Sequence, residues 1–445
     1  MNEELINGYK KFLDNGKTER ECVLQIIENA KSKGYKSIDE FEKLKTGDKV
    51  YITKMNKAIA LFEIGKDKIE NGMNILGAHI DSPRLDAKQN PLYEKDSIVY
   101  LNTHYYGGIK KYQWTTLPLA IHGVVCKKDG SIVKIVIGED ESDPVFCISD
   151  ILPHLAQEQM KDKASDFIKG EDLDVIFGSS NSSETKDEKK DKDFAKKAVL
   201  KLLKEKYEIE EKDFNSAELE IVPAGNARDL GFDRSLILAY GQDDRSCAFT
   251  SMQAMLDSQA KNRTNCCLFV DKEEIGSVGA TGMASNLFEN MVSEVVARTE
   301  SQYNELTVRR ALANSNMLSS DVNAAYDPMN ANLFDKENAS SLGGGIAFQK
   351  YTGSRGKSGA SDANPEFIAK IRKAMDEANV SYQMAELGKV DQGGGGTIAY
   401  HAAKYGMNVL DAGVAVLSMH APWEITSKED IKQIYNGLKA FLQIE

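Results

Sequence analysis

The stretch that most limits the fold covers residues 265–283. A short apolar run, Cys266-Cys267-Leu268-Phe269-Val270, is followed by Asp271-Lys272-Glu273-Glu274 and then by Ile275-Gly276-Ser277-Val278-Gly279. An apolar run of this length, bounded by polar and glycine residues, reads as a buried strand. Glu273 and Glu274 then stand at its carboxyl end, where open α/β sheets place their ligands. Adjacent side chains point in different directions, so one carboxylate can meet a metal while its neighbour handles a proton. A lone Glu-Glu pair is usually a solvated acidic loop. Other residues must decide between the two.

Several other strand exits carry candidate donors. The run 73–78 ends in His79-Ile80-Asp81, and the period of two puts His79 and Asp81 on one side. A carboxylate beside a histidine fixes its tautomer and raises its basicity as a ligand, although a lone histidine there is more often a satisfied core residue. The run 236–241 leads to Gln242-Asp243-Asp244-Arg245 and a helix over 246–257. The run 316–320 ends at Asp321, and strand-like segments at 408–411 and 414–417 lead to Ser418-Met419-His420. His79, Asp243, Glu274, Asp321 and His420 thus offer two imidazoles, three carboxylates and no thiolate. That set suits a pair of borderline divalent cations such as zinc, with cobalt or manganese as alternatives, rather than a structural zinc site. Paired cations can activate a shared water and polarise a carbonyl, and a carboxylate that is not a ligand can take the proton of that water.

Helices open the chain. Leu5, Ile6, Tyr9, Phe12 and Leu13 fall on one face of the first. Thr18 caps the second, with Glu21 placed as its capping-box partner. The last helix is capped at Ser427, with Asp430 in the same role. Over 92–230 the character changes. Strands recur in pairs, such as 117–126 and 132–137 joined through Asp129-Gly130, a hairpin signal. Residues 179–193 are low in complexity and charged, and read as a mobile loop. A helix over 194–207 and a strand at 219–222 complete the block, which holds His104, His122 and His154 without metal-ligand spacing. Gly343-Gly344-Gly345 and the run 393–396 read as tight loops where main chain approaches something closely.

A length of 445 residues predicts two domains, or one with an insertion, and the composition (41% hydrophobic, 28% charged) is globular. The net charge of −12 argues against a general nucleic-acid binder. No apolar stretch reaches the length of a membrane span. The acidic start lacks a signal-peptide pattern, which predicts a cytoplasmic protein. The six scattered cysteines, with no CxxC pair, predict reduced thiols.

Taken in order, His-Ile-Asp-Ser-Pro, Asp-Asp-Arg, Glu-Glu-Ile-Gly-Ser, Ser-Asp and Met-His resemble the aspartyl aminopeptidase family of co-catalytic zinc metallopeptidases, over essentially the whole chain. The implied fold is α/β: a zinc-peptidase-like three-layer α/β/α catalytic domain (1–91 and 231–445) with an inserted β-rich dimerisation domain (92–230). The resemblance implies that His79, Asp243 and Asp321 hold one zinc and Asp243, Glu274 and His420 the other. Glu273 would be the general base and Asp81 would orient His79. It also implies a cis peptide at Asp243-Asp244, removal of N-terminal residues (often Asp or Glu) from short peptides, and dimers assembling into a dodecamer. His154 would reach a neighbour's pocket, Gly396 and Thr397 would line the site, and Lys350 would meet an acidic side chain. The chain departs from some members at Ala324 and Asp327, where they carry histidines, which bears on acidic preference but not on the donors. Two rivals remain: a two-metal deacylase or amidohydrolase on a small N-acyl compound, and a catalytically silent shell-forming or peptide-binding protein.

Overall fold

A computed structural model describes residues 2–179 and 193–445. The charged stretch expected to be a mobile loop falls almost wholly outside the described residues. The chain divides into two compact units, Met1–Ser82 with Ala227–Met419 and Trp423–Glu445, and Pro83–Asn226 with His420–Pro422. The strand Arg84–Lys95 is continuous, so residues 84–91 group with the second unit although the sequence changes character only at 92.

The first unit is built on a nine-stranded sheet. Its central strands Thr264–Val270, Met73–His79, Asn316–Ser319 and Asn408–Gly413 lie side by side and parallel, with Val270 opposite His79 and Ser319 opposite Gly77 and Asp411. Their carboxyl ends therefore share one edge. Both faces are covered, which is why these strands read as nearly continuous apolar runs. Successive residues alternate between two apolar layers. Leu76, Ala78, Cys267, Phe269, Leu318 and Leu410 pack with the helices Asn2–Asn15, Glu19–Ser32, Gln242–Leu256, Pro365–Glu377 and Lys428–Phe441. Ile75, Cys266, Leu268, Met317 and Val409 pack with Leu287–Thr299, Glu305–Ala313 and Ala399–Ala403. The result is the three-layer α/β/α arrangement.

Both capping-box assignments need correction. Thr18 does cap its helix, accepting from the Glu21 N–H, but the Glu21 carboxylate goes to the main-chain N–H of Lys17. Ser427 caps the last helix through Glu429, whereas Asp430 accepts from the N–H groups of Gly343 and Gly345, 2.8 Å from each. In both places a main-chain donor outside the helix outcompetes the local one. Gly345 has φ +84° and a Cβ there would sit 2.0 Å from the Ser381 carbonyl, so the close approach expected of this glycine run is real.

The second unit holds a six-stranded sheet in the order Ile132–Ile137, Leu119–Cys126, Ala217–Pro223, Arg84–Lys95, Ile98–Tyr106 and Val175–Ser179, antiparallel throughout. The expected hairpin at Asp129-Gly130 joins the first two. The helix Phe194–Tyr207 packs Val199 against Gly178. His122 is paired with Glu139 at 3.0 Å. All six cysteines are free thiols, and among the described residues no helix is long and apolar enough to cross a membrane.

Candidate metal centre

Three of the parallel strands carry expected residues at or just beyond their carboxyl ends. His79 ends one strand, Glu273 and Glu274 form a 3-10 turn just beyond Val270, and Asp321 lies two residues after Ser319. Asp243 comes from a different place. Its strand, Leu236–Ala239, belongs to a small sheet with Arg228–Leu230 and Glu424–Ser427, and delivers Asp243 at the start of the helix Gln242–Leu256. The structure brings His79, Asp243 and Asp321 together: one donor atom from each lies within 4.8 Å of the others, and all three are buried. The His79 Nε2 is 3.3 Å from the Asp243 carboxylate.

Each donor is fixed by main-chain contacts. The Asp243 N–H donates to the Glu424 carboxylate at 3.0 Å, and its carbonyl accepts from Ser82 Oγ at 2.7 Å. The His79 N–H donates to Asp244 Oδ2. The Asp243-Asp244 peptide is cis, as the resemblance implied. Arg245, fully buried, donates to the carbonyls of Ile80 and Lys17. A Cβ at Gly241, where φ is +70°, would sit 2.1 Å from that guanidinium, so only glycine leaves room for it. Ser320 donates to the Gly77 carbonyl at 2.6 Å, which holds the turn into Asp321.

Asp81 does more than the sequence suggested. It lies beyond the strand, with its main-chain carbonyl 3.1 Å and its carboxylate 3.3 Å from His79 Nδ1. Its two carboxylate oxygens also accept the N–H groups of Glu273 and Glu274, each at 3.2 Å. One buried carboxylate thereby ties a candidate donor to the turn bearing the candidate base. The same turn is anchored at its start by Asp271, which accepts from Thr281 Oγ1 at 2.7 Å and faces the ammonium groups of Lys57 and Lys272.

Electrostatics favour a cation here. Burial pushes the carboxyls of Asp244 and Asp321 well above the usual range, and neighbouring carboxylates push Asp321 further. Burial works against a charged His79, yet Asp243 and Asp81 hold its pKa well above the ordinary value. A buried imidazole among carboxylates that bind protons too tightly is a site a divalent cation would stabilise in place of those protons. The residues present fit a divalent cation.

The remaining expected residues lie as follows. His420 is on the segment His420–Pro422, which groups with the second unit, and its Nδ1 is 2.8 Å from the Gly108 carbonyl. His154 is exposed on the 3-10 turn Pro153–Leu155. Lys350 is exposed just after the strand Ile346–Gln349, and Gly396 is exposed beside a buried Thr397. Asp327 accepts from Met329 N–H and caps a 3-10 turn, so its carboxylate already has a local task. Sequence reasoning missed the roles of Asp244 and Glu424. Their adjacency to the Asp243 and His420 motifs was the available signal.

A family model described as aminopeptidase I zinc metalloprotease (M18) matches residues 12–442. The probable M18 family aminopeptidase 1 of Clostridium acetobutylicum is 57% identical over 438 residues, which cover 98% of this chain and 93% of that protein. The crystal structure of an M18-family aminopeptidase from Thermotoga maritima superposes with a TM-score of 0.94 at 43% identity, over 100% of this chain and 97% of that one. The S. cerevesiae mApe1 dodecamer, 21% identical, shares the fold at a TM-score of 0.77, over 99% of this chain and 97% of that one. Motifs, fold and relatives agree, and the chain belongs to the M18 family of zinc aminopeptidases.

Proposed function

We propose that this protein removes the N-terminal residue of short peptides with two divalent cations, zinc in the first instance, and with Glu273 as general base. The observation that carries the reading is the grouping of His79 with Asp243 and Asp321, and the joining of His79 to the Glu273–Glu274 turn through the one carboxylate of Asp81. His79, Asp243 and Asp321 would hold one cation. Asp243, shared, would hold the other with Glu274 and His420, as the resemblance implies. Cations so held supply Lewis acidity toward the scissile carbonyl and make water more acidic. Glu273 takes the proton from water and returns it to the departing amine. Asp81 keeps Glu273 in place by its main-chain N–H and keeps His79 in the tautomer that presents Nε2.

The finer features belong to the same proposal. Acidic N-terminal residues are accepted, with Lys350 as their contact and the Gly396-Thr397 segment lining the site. The protein works in the cytoplasm. Dimers form through the second unit and assemble into a dodecamer, with His154 at the dimer contact. Supporting this, Ile151, Leu152 and Leu155 beside His154 are 44%, 49% and 70% exposed, an apolar patch a partner copy would cover. The test is a panel of residue amides with free or acetylated amines, assayed with defined metals. The reading predicts cleavage of free-amine substrates, acidic ones included, and rejection of blocked ones. Preference for the acetylated series would establish the deacylase rival instead, and no hydrolysis with any metal would establish the silent one.

A further inference from the structure

Asp411 stands in the middle of the strand Asn408–Gly413, opposite Ser319 of one neighbour and Gln349 of the other. It is 2% exposed, in a sheet interior where apolar residues are the rule. Its carboxylate accepts a hydrogen bond from Thr397 Oγ1 at 2.7 Å. Burial raises its pKa to about 7 despite that bond, so the position costs stability that a valine there would not. What the carboxylate gains is a tie to Thr397, made between two neighbouring strands whose next residues lead toward the site. Ser319 precedes Asp321 by two residues, Gln349 precedes Lys350, and Thr397 closes the glycine run.

The glycines of that run differ among themselves. A Cβ at Gly393 would meet the Leu387 carbonyl at 1.8 Å, and one at Gly394, where φ is +124°, the Gly353 carbonyl at 2.4 Å. Packing explains both. At Gly395 and Gly396 a Cβ would meet nothing within 4 Å, and neither has a positive φ. No described atom lies where their side chains would go. Gly395 pairs with Gly353 along one edge, and both glycines are exposed next to the anchored Thr397. Bare main chain suits close approach by another main chain.

We propose that Asp411 is a positioning residue: through Thr397 it holds Gly395 and Gly396 as an exposed main-chain edge on which the peptide substrate lies extended. The inference rests on the aminopeptidase reading and adds to it the residue that fixes how the substrate's chain is received. A buried carboxylate with a purely structural role would affect melting alone. Substrate positioning should appear instead as a split between KM and kcat that grows with peptide length.

The test uses the zinc-loaded full-length protein, with zinc content and melting temperature recorded beside the kinetics. T397V and D411A should raise KM for a tripeptide about tenfold, a larger rise than for a single-residue amide and larger than any change in kcat. The double variant should be no worse than the more affected single, because both remove one tie. D411N, which mimics the neutral acid, and T397S, which keeps the hydroxyl, should stay near the parent. G396A, which the fold accommodates, should also raise the tripeptide KM, and it keeps the test open should D411A fail to fold. Parental tripeptide KM values in T397V and G396A would overturn the inference while leaving the aminopeptidase reading intact. A parent protein that releases no N-terminal residue would overturn both.

Discussion

Two neighbouring parts of the first unit are held in very different ways. At the exits of Met73–His79 and Thr264–Val270, the site residues are locked by bonds between side chains and main chain: Glu424 to Asp243, Asp244 to His79, Asp81 to Glu273 and Glu274. These groups are mostly buried. Beyond Ile346–Gln349, by contrast, Lys350 and residues 394–396 are exposed, and the Thr397–Asp411 bond is the buried tie. The difference separates two demands. On the proposed roles, groups that move protons and hold cations must keep their geometry to a fraction of an ångström, whereas a surface proposed to receive different peptides needs only its edge in place.

The largest effect should come from breaking the locked part at its shared member. D243A removes a donor from both proposed cation positions, so zinc content should fall and turnover with it, as read by elemental analysis and residue-amide hydrolysis. Retained zinc and retained turnover would show that Asp243 is not shared.

The receiving side carries the next largest effect, through pH. Asp411 holds its proton up to about pH 7 when folded, against the ordinary value of 3.8 in the unfolded chain. The folded state therefore keeps a proton that the unfolded chain has released, and this stabilisation, complete below that ordinary value, is lost as pH rises through 7. D411N has no such proton to lose. Its melting temperature should gain on the parent's between about pH 4 and pH 7 and run parallel above, a change on the order of a few kcal/mol. A gap independent of pH would mean that Asp411 is ionised throughout.

Removing a support of the locked part rather than a donor should cost less. D81A should lower kcat about 10- to 100-fold, the range for partners that orient metal ligands, with KM little changed. An unchanged kcat would mean that the Glu273–Glu274 turn keeps its place without Asp81. Smallest of all, S427A removes a helix cap at the opposite end of its strand from Glu424 and should cost about 1 kcal/mol in melting without touching kcat or KM.

How far the sequence revealed all this follows the same division. Residues whose meaning is local were legible: the helix Phe194–Tyr207 and its boundaries, the Asp129-Gly130 hairpin, and the strand exits bearing His79, Glu273 and Asp321. Glu21 and Asp430 misled because an acid three residues after a Thr or Ser cap has a standard local partner. Here the Lys17 N–H and the N–H groups of Gly343 and Gly345 took its place. Asp244 and Glu424 could not be assigned because the groups they support lie 165 and 181 residues away in the chain. Asp411 looked like a strand end, and only its place between Ser319 and Gln349 shows it to be interior.

The central claim is a two-cation site served by a glutamate that binds neither ion. Zinc stoichiometry and turnover measured together on E273Q test it most directly. The account predicts two zinc ions per chain, as in the parent, with kcat lower by about 10³-fold. Parental turnover in that variant, or loss of an ion with the substitution, would contradict it.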